Sequence, residues 1–261
     1  MKKPKSEYVI QTVTNALRVL EAFRDREEVG VTELSVELGL HKNNVFRLLA
    51  TLELQGYVDQ SPRSERYRLG VRCLELGRAF SRSRSLLRSA HPVLVELADR
   101  AGESAHLAVL RDFDVVHLDG VPSDRLVGTG LRVGQRLPVH CTALGKVLLG
   151  GADEEVQEEY DRTAVARGLE PRTRATIVDR DKFFEHIRSG AAQGYAVDSE
   201  ECEPGLCCAA APVFDSSGVA VAAISVSGPV FRLDEQRLLG EIVPLVSAAA
   251  ERLSRDLGYG S

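Results

Sequence analysis

Apolar residues recur along this chain with two periods, and the change between them falls near Gly102. Before it the spacing is helical. Val13, Ala16, Leu17, Leu20 and Phe23 mark one stripe of a helix over 11–26, expected to pack on the two helices that follow. Thr32 suits the cap of a second helix whose Leu34 and Leu38 face inward. A tight turn at Gly39 leads to a third helix over 41–54, where Val45, Leu48, Leu49 and Leu52 sit at i, i+3, i+4 and i+7. Gln55-Gly56 stops it. Tyr57–Gln60 and Arg66–Gly70 then read as two short strands around the turn Ser61-Pro62-Arg63-Ser64-Glu65. From Val71 to Ala101 helical spacing returns, with a polar joint, SRSRS, at 81–85. His91-Pro92 is read as opening a further helical run with Val93, Leu94, Leu97 and Ala98 on its apolar side.

Beyond Gly102 the period shortens. Ser104–Leu110 and Val115–Val121 predict two strands around a turn at 111–114, and Leu131–Val139 a third. A helix is expected from Thr142, two more near 153–161 and 179–190, then strands at 195–198, 207–214 and 219–227. An amphipathic helix over 234–257, with Leu238, Ile242, Leu245, Val246 and Ala249 on one face, ends the chain. The pattern predicts a mixed α+β protein in three parts: a winged helix-turn-helix over 1–70, a linking helix over 71–92, and over 93–261 an antiparallel sheet flanked by helices.

Charge sharpens this division. The formal net charge of −5 hides an asymmetry: residues 1–90 hold 16 Lys+Arg against 11 Asp+Glu, and the remainder 17 against 27. Residues 1–70 alone are nearly balanced, so placement of the bases matters more than bulk charge. No apolar run has the length of a membrane span, the start MKKPKSEY lacks the apolar segment of a secretory signal, and Lys2, Lys3 and Lys5 read as a frayed arm. The five cysteines, at 73, 141, 202, 207 and 208, have no metal-ligand spacing, and their odd number argues against a disulfide framework. The expectation is a cytoplasmic protein without metal or cofactor.

The polar face of the third helix carries Lys42, Asn43, Asn44 and Arg47, with no acid before Glu53. Amides and guanidinium groups are the side chains that pair two-pronged with adenine and guanine edges in a major groove. This helix is therefore the candidate recognition helix for double-stranded DNA. Arg63, Arg66 and Arg68 lie where a wing would meet phosphates. The bland alternative is an αα-hairpin with a solvated basic face, or a module that meets an acidic protein partner.

Three segments of the second half could form a pocket. If Thr142 caps its helix, the Ala143 and Leu144 N–H groups point from a positive helix end suited to a carboxylate. Ser225 and Ser227, two apart on a strand, share a face. Asp198 ends one strand and Cys208 lies on another, where Cys207 and Cys208 face opposite ways. A Cys208–His140–Asp198 hydrolase or acyltransferase is the enzymatic alternative; no nucleophile turn accompanies Cys208, and the reading preferred is no enzyme and no catalytic residue.

The chain resembles the IclR-type bacterial transcriptional regulators. The resemblance rests on TELSVELGLHKNNVFRLLATLELQGYV, on RYRLG, on LRVGQRLPVHCTALGKVLL and on DSEECEPGLCCAAAPVFDSSGVAVAAISVSGP, in that order and spacing. It implies a GAF-like effector domain, a homodimer or dimer of dimers on a partly palindromic operator, and a small organic or aromatic acid as effector of what is taken to be a repressor. By position it implies effector contacts from the Ala143 and Leu144 amides, Asp198, Cys208, Ser225 and Ser227. The recognition helix departs from the common pattern at His41, Asn43, Asn44 and Phe46, and Cys207 stands where Arg is frequent. The resulting Cys207-Cys208 pair raises thiol sensing as a minor possibility.

Overall fold

The structure, a computed structural model, describes residues 8–24, 26–83 and 85–260, without the side chains of Arg78 and residues 81–83. Lys2, Lys3 and Lys5 of the expected arm lie outside the described residues, as do the side chains of 81–84 in the expected joint. The chain divides into two compact units after Ser83.

In the first unit, α1 (Gln11–Glu21), α2 (Val31–Leu38) and α3 (Lys42–Leu54) enclose a core of Val19, Phe23, Leu34, Val45, Leu49 and Leu52. Only the second half of the stripe expected on α1 is used. Val13 and Leu17 are more than half exposed, while Leu20 is half-buried and Phe23 buried; Val19 and Ala22, outside the expected stripe, are buried as well. The periodicity foretold a helix; which residues found a neighbour depended on where α2 and α3 pack. Gly30, not Thr32, precedes α2, and the Glu33 carboxylate reaches back to accept from the Gly30 N–H at 3.5 Å. The helix starts there because Val29 is pinned just before it: Val29 and Tyr67 exchange two backbone hydrogen bonds, of 2.9 and 3.0 Å. Gly39 ends α2 at φ 64°, a left-handed conformation that costs a residue without Cβ little.

The hairpin follows as β1 (Val58–Gln60) and β2 (Tyr67–Leu69), antiparallel with Asp59 opposite Arg68. It is fastened to the helices rather than free. Glu53 of α3 accepts from the Gln60 N–H, and Tyr67 is buried in the three-helix core. The last element of this unit is α4 (Val71–Ser83).

The second unit opens with α5 (Ser85–Ala101). Pro92 lies inside this helix rather than at its start. Leu87, Ala90, Val93, Leu94, Leu97, Ala98 and Ala101 are all buried along one stripe, and packing on this scale outweighs the single hydrogen bond that proline forfeits. The sheet contains β3 (Ser104–Arg111), β4 (Asp114–Val121), β5 (Arg136–Pro138), β6 (Ala196–Ser199), β7 (Leu206–Phe214) and β8 (Ala220–Pro229), antiparallel throughout in the order β5-β4-β3-β8-β7-β6. Between β5 and β6 come α6 (Ala143–Gly150), α7 (Glu154–Thr163) and α8 (Arg180–Gln193). After β8 come α9 (Glu235–Arg237), a five-residue π turn (Leu238–Ile242) and α10 (Val243–Asp256). The expected terminal helix is thus present but locally widened just before Pro244, which has no N–H to give a regular turn.

Alternation along the central strands sorts side chains by size. Leu107, Val226 and Ile224 point to the α5 and α10 side, whereas Ala108, Ala210 and Ala223 point to the α6 and α8 side. Small residues there let α6 lie close to the sheet, and its starting end meets the polar side chains described next.

Candidate functional site

The surface of α3 is arranged as its period foretold. Lys42, Asn43, Asn44 and Arg47 are exposed, and Val45 and Leu49 are fully buried beneath them. Phe46 is also exposed, at 55%. Arg63 and Arg68 are exposed on the hairpin. Arg66 is used differently. Its guanidinium holds both Glu33 carboxylate oxygens at 2.8 Å and donates to the Glu28 carbonyl at 3.1 Å. This two-pronged pair holds the Arg66 pKa up and the Glu33 pKa down. Arg66 therefore ties the hairpin to α2, and Ser64 adds a 2.7 Å hydrogen bond to Glu28.

The pocket expected in the second unit is also there. Ala143, Leu144, Asp198, Cys208, Ser225 and Ser227 all line one small cavity. Sheet register explains the grouping. Asp198 lies opposite Cys208, Cys208 opposite Ser227, and Ser225 opposite His106. Thr142 caps α6: its hydroxyl donates to the Pro138 carbonyl at 2.9 Å and accepts from the Gly145 N–H at 3.1 Å. Gly145 is thereby satisfied, whereas Ala143 and Leu144 occupy the first two helical positions, whose N–H groups have no partner within a helix.

Asp198 is 1% exposed and accepts from the Glu201 N–H at 2.7 Å. Burial raises its pKa to about 7 against that hydrogen bond; the nearby Glu201 charge pushes it further up and Lys146 pulls it down. Behind it lies a buried ion pair, Lys146 Nζ to Glu201 Oε1 at 2.5 Å, with Lys146 also donating to the Val197 carbonyl. The irregular segment around Pro171 closes this side. Thr173 and Thr176 donate to the Glu200 and Glu201 carbonyls, and Arg172 to that of Cys202.

Cys208 faces the cavity and Cys207 the opposite core, so the neighbouring thiols point apart across the sheet. Burial raises both pKa values, which disfavours the reactive thiolate. His140 does not line the cavity; its Nε2 meets the Glu170 carbonyl at 2.9 Å. The Cys208–His140–Asp198 arrangement is therefore not assembled as a nucleophile and its base. A different thiol is the acidic one. Cys202, also on the cavity wall, has its pKa lowered by the Cys141 thiol and by Arg172 and Arg132.

His106, His117 and Arg132, which the sequence pattern did not single out, also line the cavity. A bulge brings in His117. From Ala105 to Leu107 the β3–β4 pairing is regular, with His106 opposite Gly120 and Leu107 opposite Asp119; the register then slips, and Ala108 meets His117 instead of Leu118. One skipped residue turns His117 to the cavity face and sends Leu118 to the other core. Gly120 makes the room, since a Cβ there would sit 3.1 Å from His106 Nδ1.

A basic-and-amide helix beside a hairpin, and in a separate unit a small cavity with a helix end aimed into it, define a ligand-sensing DNA-binding protein. Residues 12–62 match the IclR helix-turn-helix domain, and residues 79–255 match the C-terminal domain of the bacterial transcriptional regulator IclR. The chain belongs to the IclR family of transcriptional regulators. It is 35% identical to the HTH-type transcriptional regulator KdgR of Escherichia coli strain K12 over 259 residues, covering 99% of this chain and 95% of that one. It is 33% identical to the transcriptional repressor IclR of the same strain, covering 96% and 90%. Among solved structures, the IclR regulator of Alicyclobacillus acidocaldarius superposes with a TM-score of 0.85 at 27% identity, over 95% of this chain and 99% of that one. An IclR homologue from Microbacterium hydrocarbonoxydans, in complex with 4-hydroxybenzoate, superposes with a TM-score of 0.80 at 27% identity over 94% and 98%. These relatives are regulators, and this chain is a regulator of transcription rather than an enzyme. Among the described residues no helix is long and apolar enough to cross a membrane.

Proposed function

We propose that the protein acts as a one-component repressor whose hold on a partly palindromic operator is set by a small carboxylate in the second unit. The observation that carries the ligand reading is the start of α6. Two unpaired N–H groups meet there beside Asp198 and Cys208, with Ser225 and Ser227 lining the same cavity. A carboxylate would take the Ala143 and Leu144 N–H groups and the Ser225 hydroxyl, with the helix end supplying positive potential. Ser227 serves more as a fixed neighbour, since its hydroxyl already meets His106 Nε2 at 3.0 Å and Thr129 Oγ1 at 2.8 Å. Such a ligand shifts DNA affinity only by binding two arrangements of the protein unequally. The structural relative holding 4-hydroxybenzoate supports an acid of this size.

On the DNA side, Lys42, Asn43, Asn44 and Arg47 read base edges or adjoining phosphates, while Arg63 and Arg68 hold the backbone. The protein works as a homodimer, or a dimer of dimers, so that two copies of α3 meet two half-sites. Arg47→Ala should weaken operator binding by about 1–3 kcal/mol if it reads a guanine. The check is a gel shift on the DNA upstream of its own gene beside random DNA. Equal losses on both would reduce Arg47 to a phosphate contact, and no shift on any DNA would favour an acidic protein partner. Calorimetry with candidate acids on wild type and Ser225→Ala tests the cavity, and unchanged affinity removes that hydroxyl from it.

A further inference from the structure

The cavity has a second polar end that the carboxylate leaves unused. His106 and His117 are 2% and 3% exposed, with their rings edge to face at 5.4 Å between centroids. His106 spends Nε2 on Ser227, but its Nδ1 and both nitrogens of His117 have no hydrogen-bond partner among the described residues. Three orphaned ring nitrogens in so dry a place cost free energy unless something answers them. They sit on β3 and β4, and His117 is four strand spacings from Asp198 across the sheet. Leu137, Leu144 and Leu206 supply apolar wall to the same cavity.

The protonation state of the rings narrows the chemistry. Burial holds the His106 pKa down to about 3 and the His117 pKa to about 4, and the Arg132 charge pushes the same way. Each ring is neutral at physiological pH, so each offers one donor and one acceptor. A carboxylate can only accept. A hydroxyl does both, and so answers either face of a neutral imidazole. Arg132, the cation on this wall, is paired with Glu203 at 3.2 Å, which reduces its pull on a second acid group.

Resting on the carboxylate reading of the α6 end, we infer that the effector is a hydroxylated monocarboxylic acid, with at least one hydroxyl remote from the carboxyl group and bound by His106 and His117. The bulge after Leu107 and the missing side chain at Gly120 are the features that build this second end.

The experiment is calorimetry on the full-length protein with matched acids that differ in hydroxylation: hexanoate beside D-gluconate, and benzoate beside 4-hydroxybenzoate. Adipate is added as a dianion. The hydroxylated member of at least one pair should bind ~10-fold tighter or more than its partner, the loss expected when buried polar groups are left unmatched. His117→Phe should erase most of that ratio. Equal or tighter binding of both unhydroxylated acids overturns the inference, as does a preference for adipate over all four. Those two results leave the carboxylate site standing. Binding of none of the five at millimolar concentration would instead take down the acid reading itself. The wild-type ratios decide the matter even if the variant does not fold.

Discussion

The face of α3 and the cavity below α6 are built on opposite plans. On α3 the side chains proposed to meet DNA project outward from one helix, so their neighbours in space are their neighbours at helical spacing. The cavity draws its lining from six strands, one helix end and two loops spread over more than 120 residues, from His106 to Ser227. The first site tolerates change in its surroundings so long as the helix stands. The second depends on strand register, and one skipped residue in β4 decides whether a histidine or a leucine faces the cavity. Under the proposed function, specificity for DNA rests on a locally coded surface and specificity for the small acid on a tertiary arrangement.

The largest test separates the two regions. Leu49 lies fully buried beneath the α3 face, so Leu49→Ala should cost about 2–5 kcal/mol in its own unit. Operator binding should be lost while calorimetry still detects the acid. Loss of both would show that the two units do not stand independently.

A smaller effect sharpens the cavity side. Asp198 titrates near 7 because burial penalises its charged form. An arriving carboxylate adds a second negative charge and favours the protonated acid. Affinity should therefore fall as pH rises above about 7, approaching ~10-fold per unit, and Asp198→Asn should flatten the profile. Stability has the same sign. With the native pKa raised from 3.8 to about 7, the Asp198 contribution is full below the unfolded value and lost as pH rises through the folded one. Thermal melts of Asp198→Asn should gain on wild type above pH 7; a gain confined to acid pH would reverse the assignment.

The smallest effect lies in the wing. Arg63→Gln and Arg68→Gln should each lower the slope of log affinity against log salt by about 1. Arg66→Gln should leave that slope unchanged and loosen the hairpin instead, because its guanidinium is held by Glu33. A lowered slope for Arg66→Gln would return it to the phosphate contacts.

Several features were legible before any coordinates because they follow from short-range rules. Helical spacing showed that Val45 and Leu49 point in and Asn43 and Arg47 point out. The Thr142 cap, the shared face of Ser225 and Ser227, and the opposed Cys207 and Cys208 followed from the periods of helix and strand. The pairing of Arg66, expected at a phosphate, with Glu33 was not legible, since nothing in RYRLG reveals Glu33 lying against it in space. The start of α2 was misplaced because the Val29–Tyr67 pairing joins residues far apart in the chain.

What the sequence by itself determined is the order of elements, the basic-and-amide surface and the capped start of α6. Each depends on residues within about two turns or one strand of each other. Only the tertiary structure decided that half the α1 stripe stays uncovered, that Arg66 is an internal clasp, and that His106 and His117 meet across a bulge opposite Gly120. Those outcomes depend on packing and register between distant segments, and a shift of one residue there moves a side chain to the other face of the sheet.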